Sequence, residues 1–301
     1  MKDFPSCFGE NGVQVADASC TTAAAVATTT TMSNGSISIA KASQNVVTCV
    51  YQCKLLGKSR LIIINWTKNL VGHCFSIEIQ DLSHKCLNKI DIKPSIFTKR
   101  KGTKSVIVDF VTIDVYWDLS IAKFGSGPEP IEGYYLGLGY KGEMILLIGD
   151  LRKELLKKTK YLSNSLRISK REHVFGKKWY ATRAQFKDNG PVHDLRIECD
   201  TFGLDDPQLV VRMDSKIVMQ VKHLVWKFRG NYTIFIDGLH VEVFWDVYNW
   251  LFGPTTGNAV FMFQTGSGAE KSGSLPDRSI SSLRGSQSSN FCLTLYAWKN
   301  E

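Results

Sequence analysis

The sequence predicts an all-β fold: two tandem, pseudo-repeated antiparallel β-sandwich or barrel units with short capping helices and one linking helix. Three observations predict it. Apolar residues alternate with period two, hairpin turn signals recur at short intervals, and the two halves of the chain match each other over long stretches. A length of 301 residues allows one large domain or two average ones, and 44% hydrophobic with 22% charged residues is ordinary globular usage. Collagen, coiled-coil, disulfide mini-protein and wholly disordered classes are thereby excluded. Unbroken apolar runs such as Met144 to Ile148 fall far short of the roughly 20 residues of a spanning helix.

Residues 1–44 are expected to form a flexible segment. No apolar signal core precedes Cys20, and Thr21 to Ser43 lacks aromatic residues and almost all charge. The expected location is cytoplasmic, with the nucleus or a peripheral membrane position as alternatives.

Residues 45–150 are predicted as the first β unit, with turns at Gly57 and Lys141-Gly142. Residues 151–164 read as a linking helix and loop. Asp150 can cap the helix, and Leu151, Leu155 and Lys158 follow at helical spacing. Residues 165–301 are predicted as the second β unit. Leu195 and Ile197 face one way and Asp194, Arg196 and Glu198 the other; Val241, Val243 and Trp245 likewise oppose His240, Glu242 and Phe244. Turns are expected at Asn189-Gly190, Asp214-Ser215, Gly230-Asn231 and Asp237-Gly238, and a disordered Ser/Gly-rich loop at 266–290.

The duplication rests on Val106 to Asp118, which aligns without a gap with Ile234 to Asp246. Seven residues on, Asp118 and Asp246 are each followed by a glycine, Gly125 and Gly253, preceded by Phe124 and Phe252. The repeated unit reads as a hairpin ending in Trp, an Asp that caps a short helix, and a Gly in the left-handed conformation that ends it. Trp117 and Trp245 are predicted core anchors.

No cofactor and no metal are expected. The eight cysteines contain no C-x-x-C pair, and in the nearest cluster, His73, Cys74, His84 and Cys86, strand periodicity turns His73 and Cys74 to opposite faces. Buried reduced thiols are the reading. No catalytic residue is assigned either. P-loop, nucleophile-elbow and H-E-x-x-H patterns are absent, and His193 and Glu198 lie on opposite strand faces, as do His73 and Glu78, so neither pair can share a proton. The sequence therefore predicts a protein that is not an enzyme, with His193 a structural histidine and Gly125 to Pro128 a plain connection.

Charge supplies the surface signal. The net charge is +9, and two segments, 89–104 and 151–178, together carry +13. Such a field attracts anions. The predicted partner-binding residues are Lys99, Arg100, Lys101 and Lys104, with Lys170, Arg171, Lys177 and Lys178. The function expected from them is a non-enzymatic interaction module whose basic loops meet an anionic protein or membrane surface. The alternatives are a nucleic-acid binder, and a small-ligand carrier or enzyme using a barrel mouth.

Several motifs carry a family resemblance: MKDFPSCFGENGVQVAD at 1–17, DIKP at 91–94, FTKRKG at 97–102, YWDLS at 116–120, AKFGSGPE at 122–129, KREHVFG at 170–176, VWKFRGN at 225–231, DVYNW at 246–250 and AWKNE at 297–301. They resemble the plant family filed as domain of unknown function 868. The resemblance covers nearly the whole chain and implies a plant protein, with Thr21 to Ser43 as a local insertion. It implies no activity and no site residues.

Overall fold

The computed structural model describes residues 46–70, 72–93, 100–153, 161–162, 165–188, 190–199, 206–253, 257–266 and 290–299. The predicted flexible segment 1–44, nearly all of the loop 266–290, and most of the linking helix fall outside them. The described residues form one compact unit.

The fold is nearly all β. The strands are β1 (Val46–Leu55), β2 (Lys58–Asn69), β3 (Gly72–Gln80), β4 (Cys86–Ile92), β5 (Lys101–Val108), β6 (Val111–Asp118), β7 (Lys123–Phe124), β8 (Pro130–Glu132), β9 (Tyr135–Tyr140), β10 (Glu143–Ile148) and β11 (Tyr161–Leu162). They continue with β12 (Leu166–Gly176), β13 (Trp179–Ala184), β14 (His193–Cys199), β15 (Leu209–Met213), β16 (Lys216–Val221), β17 (Arg229–Ile236), β18 (Leu239–Asp246), β19 (Asn258–Thr265) and β20 (Cys292–Lys299). One short helix, α1 (Tyr248–Leu251), follows β18.

A nine-stranded sheet runs β17-β18-β19-β20-β12-β1-β2-β3-β4, a five-stranded sheet β11-β10-β9-β6-β5, and a four-stranded sheet β13-β14-β15-β16. Among the described residues none of them closes into a barrel. β1 and β12 pair antiparallel at the middle of the large sheet, and β12 pairs parallel with β20.

Two cores lie against this sheet. In one, Ile62, Ile64, Ile77 and Ile79 of the large sheet meet Ile113, Val115, Leu136 and Leu138 of the five-stranded sheet. In the other, Phe261, Phe263 and Leu293 meet Leu195, Ile197 and Val211 of the four-stranded sheet. Each fully buried side chain of this kind contributes about 1.5–3 kcal/mol. Val47 stands opposite Glu172 and Cys49 opposite Lys170. Cross-strand partners share a face, and Val174 shares that of Glu172. Both cores therefore sit on the same face of the nine-stranded sheet, one at each end.

The hairpins β5–β6 and β17–β18 have the same register. Gly102 faces Trp117 and Gly230 faces Trp245, so the predicted turn at Gly230-Asn231 is in fact paired strand near the start of β17. A Cβ on Gly102 would lie 2.6 Å from the Trp117 ring, and one on Gly230 2.4 Å from the Trp245 ring; glycine is what lets each indole cover the strand opposite. Both tryptophans are buried, as expected for core anchors.

Local expectations for the repeated unit are corrected. Only the second half forms the short helix, and its N-cap position is Val247 rather than Asp246, with no side-chain cap bond; Trp250 is buried there, donating Nε1–H to the Ala297 carbonyl at 3.1 Å and stacking on Tyr180. After Asp118 the chain makes only a turn, closed by the Ala122 amide on the Leu119 carbonyl at 3.3 Å. Neither Gly125 nor Gly253 adopts a positive φ. The Asp150 carboxylate accepts the Gly133 and Tyr134 amides at 2.9 and 3.1 Å, in the link between β8 and β9, and most of the helix it was expected to cap lies outside the described residues.

Candidate functional site

Between the two cores the inner face of β1 and β12 changes character from apolar to charged. A β-bulge causes part of this. Val50 stands opposite Ser169 and Tyr51 opposite Arg167, which leaves Ile168 without a partner. The extra residue reverses the alternation on β12 and brings Arg167 to the face that already holds Lys170 and Glu172.

Lys170 lies under this face with its side chain 12% exposed. Its Nζ is 2.9 Å from Glu129 Oε2 and 3.4 Å from Glu172 Oε2. Glu172 also accepts a hydrogen bond from the Thr182 hydroxyl on β13. Arg167 donates to the Gln185 carbonyl and to Gln185 Oε1 at 2.8 and 3.1 Å, and its guanidinium lies 4.7 Å from the centre of the Phe291 ring. A buried charge is tolerable only when paired, and two carboxylates meet that need. Burial works against the charged form of Lys170, yet Glu129 and Glu172 outweigh it and hold its pKa above the usual lysine range. Burial, reinforced by Glu129, pushes the Cys49 thiol up. The Tyr134 phenol is raised for the same two reasons.

This charged face floors a groove of about 1110 Å³. One wall is the loop carrying Gly125, Pro128, Glu129 and Ile131; the other is β13 with its neighbour β14. β13 ends the four-stranded sheet. Along that rim Trp179 is 53% exposed. The Arg196 guanidinium covers its ring at 4.9 Å, a cation–π contact. Arg196 and Arg212 share Glu198 at 2.9 and 3.1 Å, and Arg183 stands 3.8 Å from Asp194, both well exposed. A smaller hollow of about 460 Å³ continues past Trp179 to Lys178 and Gln208.

The eight predicted partner residues do not gather in one place. Lys99 lies outside the described residues. Arg100 is exposed just before β5, where its carbonyl accepts the Leu119 amide. Lys101 on β5 pairs with Asp118 at 2.6 Å, and Lys104 is exposed on the same strand. Lys170 is not a surface residue: it sits on a strand rather than a loop, and its charge is matched inside the groove. Arg171, next along β12, is exposed on the opposite face. Lys177 and Lys178 are exposed in the turn that leads into β13, beside the groove rim.

Sequence reasoning missed Glu129, Arg167, Glu172 and Trp179. The alternation that set Asp194, Arg196 and Glu198 on one face was the available signal for the rim. Among the described residues no cluster of three or more His, Cys, Asp or Glu side chains is placed to hold a metal ion, and no helix is long and apolar enough to cross a membrane.

Residues 42–299 match the family described as plant protein of unknown function (DUF868). No curated protein and no solved structure matches the chain.

Proposed function

The chain belongs to this plant family of unknown function, and on that premise we propose that it is a non-enzymatic interaction module that holds an acidic, extended protein segment in the groove beside β13. The observation that carries the reading is the coincidence of a sheet edge that no described strand pairs with and a cationic, aromatic rim. An edge strand presents backbone donors and acceptors that a further strand can pair with. Lys177, Lys178, Arg183, Arg196 and Arg212 surround that edge against the carboxylates of Asp194 and Glu198, a balance that favours an anionic occupant. Trp179 offers an exposed ring of the type that anchors partners.

The groove floor supports a binding role over a catalytic one. A general acid or base works best with a pKa near the working pH, and a nucleophilic thiol needs a lowered one. Lys170, Cys49 and Tyr134 are all pushed upward, away from neutrality.

The test is fluorescence anisotropy with a labelled Glu-rich peptide at low and physiological salt. The wild-type chain is expected to bind, and Arg183→Glu with Arg196→Glu to weaken binding at least about tenfold, as reversing close charges does. Equal binding by the double variant would refute the reading.

We also infer that residues 45–150 and 165–301 are copies of one β unit. Support comes from the shared hairpin register and its paired details. Lys101 meets Asp118 as Arg229 meets Asp246, and the Asp118 and Asp246 carboxylates each accept an amide two residues on at 3.0 Å.

A further inference from the structure

A different surface, at the far end of the first sandwich, collects the turns β1–β2, β3–β4, β5–β6 and β9–β10. Their proximity is fixed by named contacts. Arg60, just after the first turn, pairs with Asp109 in the third. Asn88 on β4 donates to the Ile107 carbonyl at 2.8 Å. Asp114 opposite Gly139 brings the β9–β10 turn to the same end.

Apolar side chains crown these turns. Phe110 is fully exposed, and Leu56, Leu82 and Ile107 are 46%, 58% and 66% exposed. Around them stand four exposed lysines, Lys54, Lys58, Lys85 and Lys141, against Glu143 and Asp81. Asp81 is occupied by its own turn, accepting the Ser83 and Lys85 amides at 2.9 Å.

Phe110 is conformationally costly where it stands. Asp109 and Phe110 have φ of 48° and 66°, a two-residue hairpin loop whose second position favours glycine. The same turn in the second half is Asp237-Gly238, with φ of 50° and 75°. Where that hairpin carries the unstrained residue, this one holds a bulky ring in the left-handed region, in full contact with water. The fold gains no packing from it.

We propose that this end docks on an anionic lipid surface, with Phe110, Leu56 and Leu82 entering the boundary between headgroups and acyl chains while the lysines meet lipid phosphates. Exposed apolar side chains on separate turns with cations between them suit a deformable bilayer, whereas a protein partner of fixed shape would need a continuous apolar patch. The proposal does not depend on the groove.

The experiment is co-sedimentation of the full chain with phosphatidylcholine vesicles, with and without phosphatidylserine, across a salt series. The expected result is salt-sensitive binding to the phosphatidylserine vesicles only. Phe110→Gly restores the residue favoured in the turn, so its thermal midpoint should be at least that of the wild type. Its vesicle binding should be roughly tenfold or more weaker, the order that burying one aromatic side chain supplies. Lys54→Glu with Lys58→Glu should weaken binding as well, and Arg183→Glu with Arg196→Glu should leave it intact. Any one of three results would overturn the proposal: no binding to phosphatidylserine vesicles, equal binding by Phe110→Gly, or loss of binding through the groove variants.

Discussion

Glu129 reaches Lys170 across the groove at 2.9 Å, and the two belong to opposite halves of the chain. Glu129 comes from the connection between β7 and β8, in the half that supplies the five-stranded sheet. Lys170 comes from β12, the first long strand of the other half. The ion pair therefore ties the loop wall of the groove to its floor.

Removing the cation should be the costlier way to break that tie. Lys170→Met leaves Glu129 and Glu172 close together in a largely buried setting, and breaking a buried pair from one side costs about 3–5 kcal/mol. Glu129→Gln leaves Lys170 its bond to Glu172 and should cost less. Urea unfolding of the two variants checks the order; a larger loss for Glu129→Gln would contradict it.

His193 predicts a pH dependence. Its ring nitrogens lie 2.6 Å from Asp214 and 2.7 Å from Asp237, residues in the turns of two different sheets. Burial disfavours its charge, but hydrogen bonds to Asp214 and Asp237 prevail and raise its pKa above 6.5. Lys216 and His193 are the cations facing Asp214, whose pKa is lowered from 3.8, first by the His193 hydrogen bond. The imidazolium thus contributes stability that is fully present below pH 6.5 and is lost as pH rises through the raised value. The Asp214 contribution is present above pH 3.8 and is lost as pH falls through its lowered value. Thermal midpoints of the wild type should therefore fall on the alkaline side of this window, and His193→Gln should flatten that fall. An unchanged profile in the variant would refute the assignment.

Two glycines of one hairpin should respond differently to alanine. At Gly230 the new Cβ meets the Trp245 ring, an overpacking expected to cost about 1–3 kcal/mol or more. At Gly238 nothing lies within 4 Å, and only the positive φ is penalised, by about 1–2 kcal/mol. Gly230→Ala should disturb near-ultraviolet circular dichroism through Trp245, and Gly238→Ala should not.

The β class was legible because period-two alternation is local. It is plain at Asp194 to Glu198 and again on β18, and the turns at Lys141-Gly142, Asp214-Ser215 and Asp237-Gly238 all adopt positive φ. The groove was not legible, because it depends on distant pairing. Ser169 lies beside Cys292 in the parallel β12–β20 contact, and such a contact leaves no local signature. Lys170 sits in a strongly basic run and so reads as surface. Only the bulge at Ile168 and the arrival of Glu129 from the first half reveal that its charge is spent internally. Gly230-Asn231 has turn composition, yet its glycine serves the Trp245 ring.

The most direct test of the central claim is hydrogen exchange of the backbone amides with and without the Glu-rich peptide. Addition of a strand to the β13 edge predicts slowed exchange concentrated at Trp179 to Ala184, with the Trp179 fluorescence changing over the same titration. Peptide binding with no protection in β13, or with protection centred on Arg100 to Lys104, would contradict it and return the site to the basic loop of the first half.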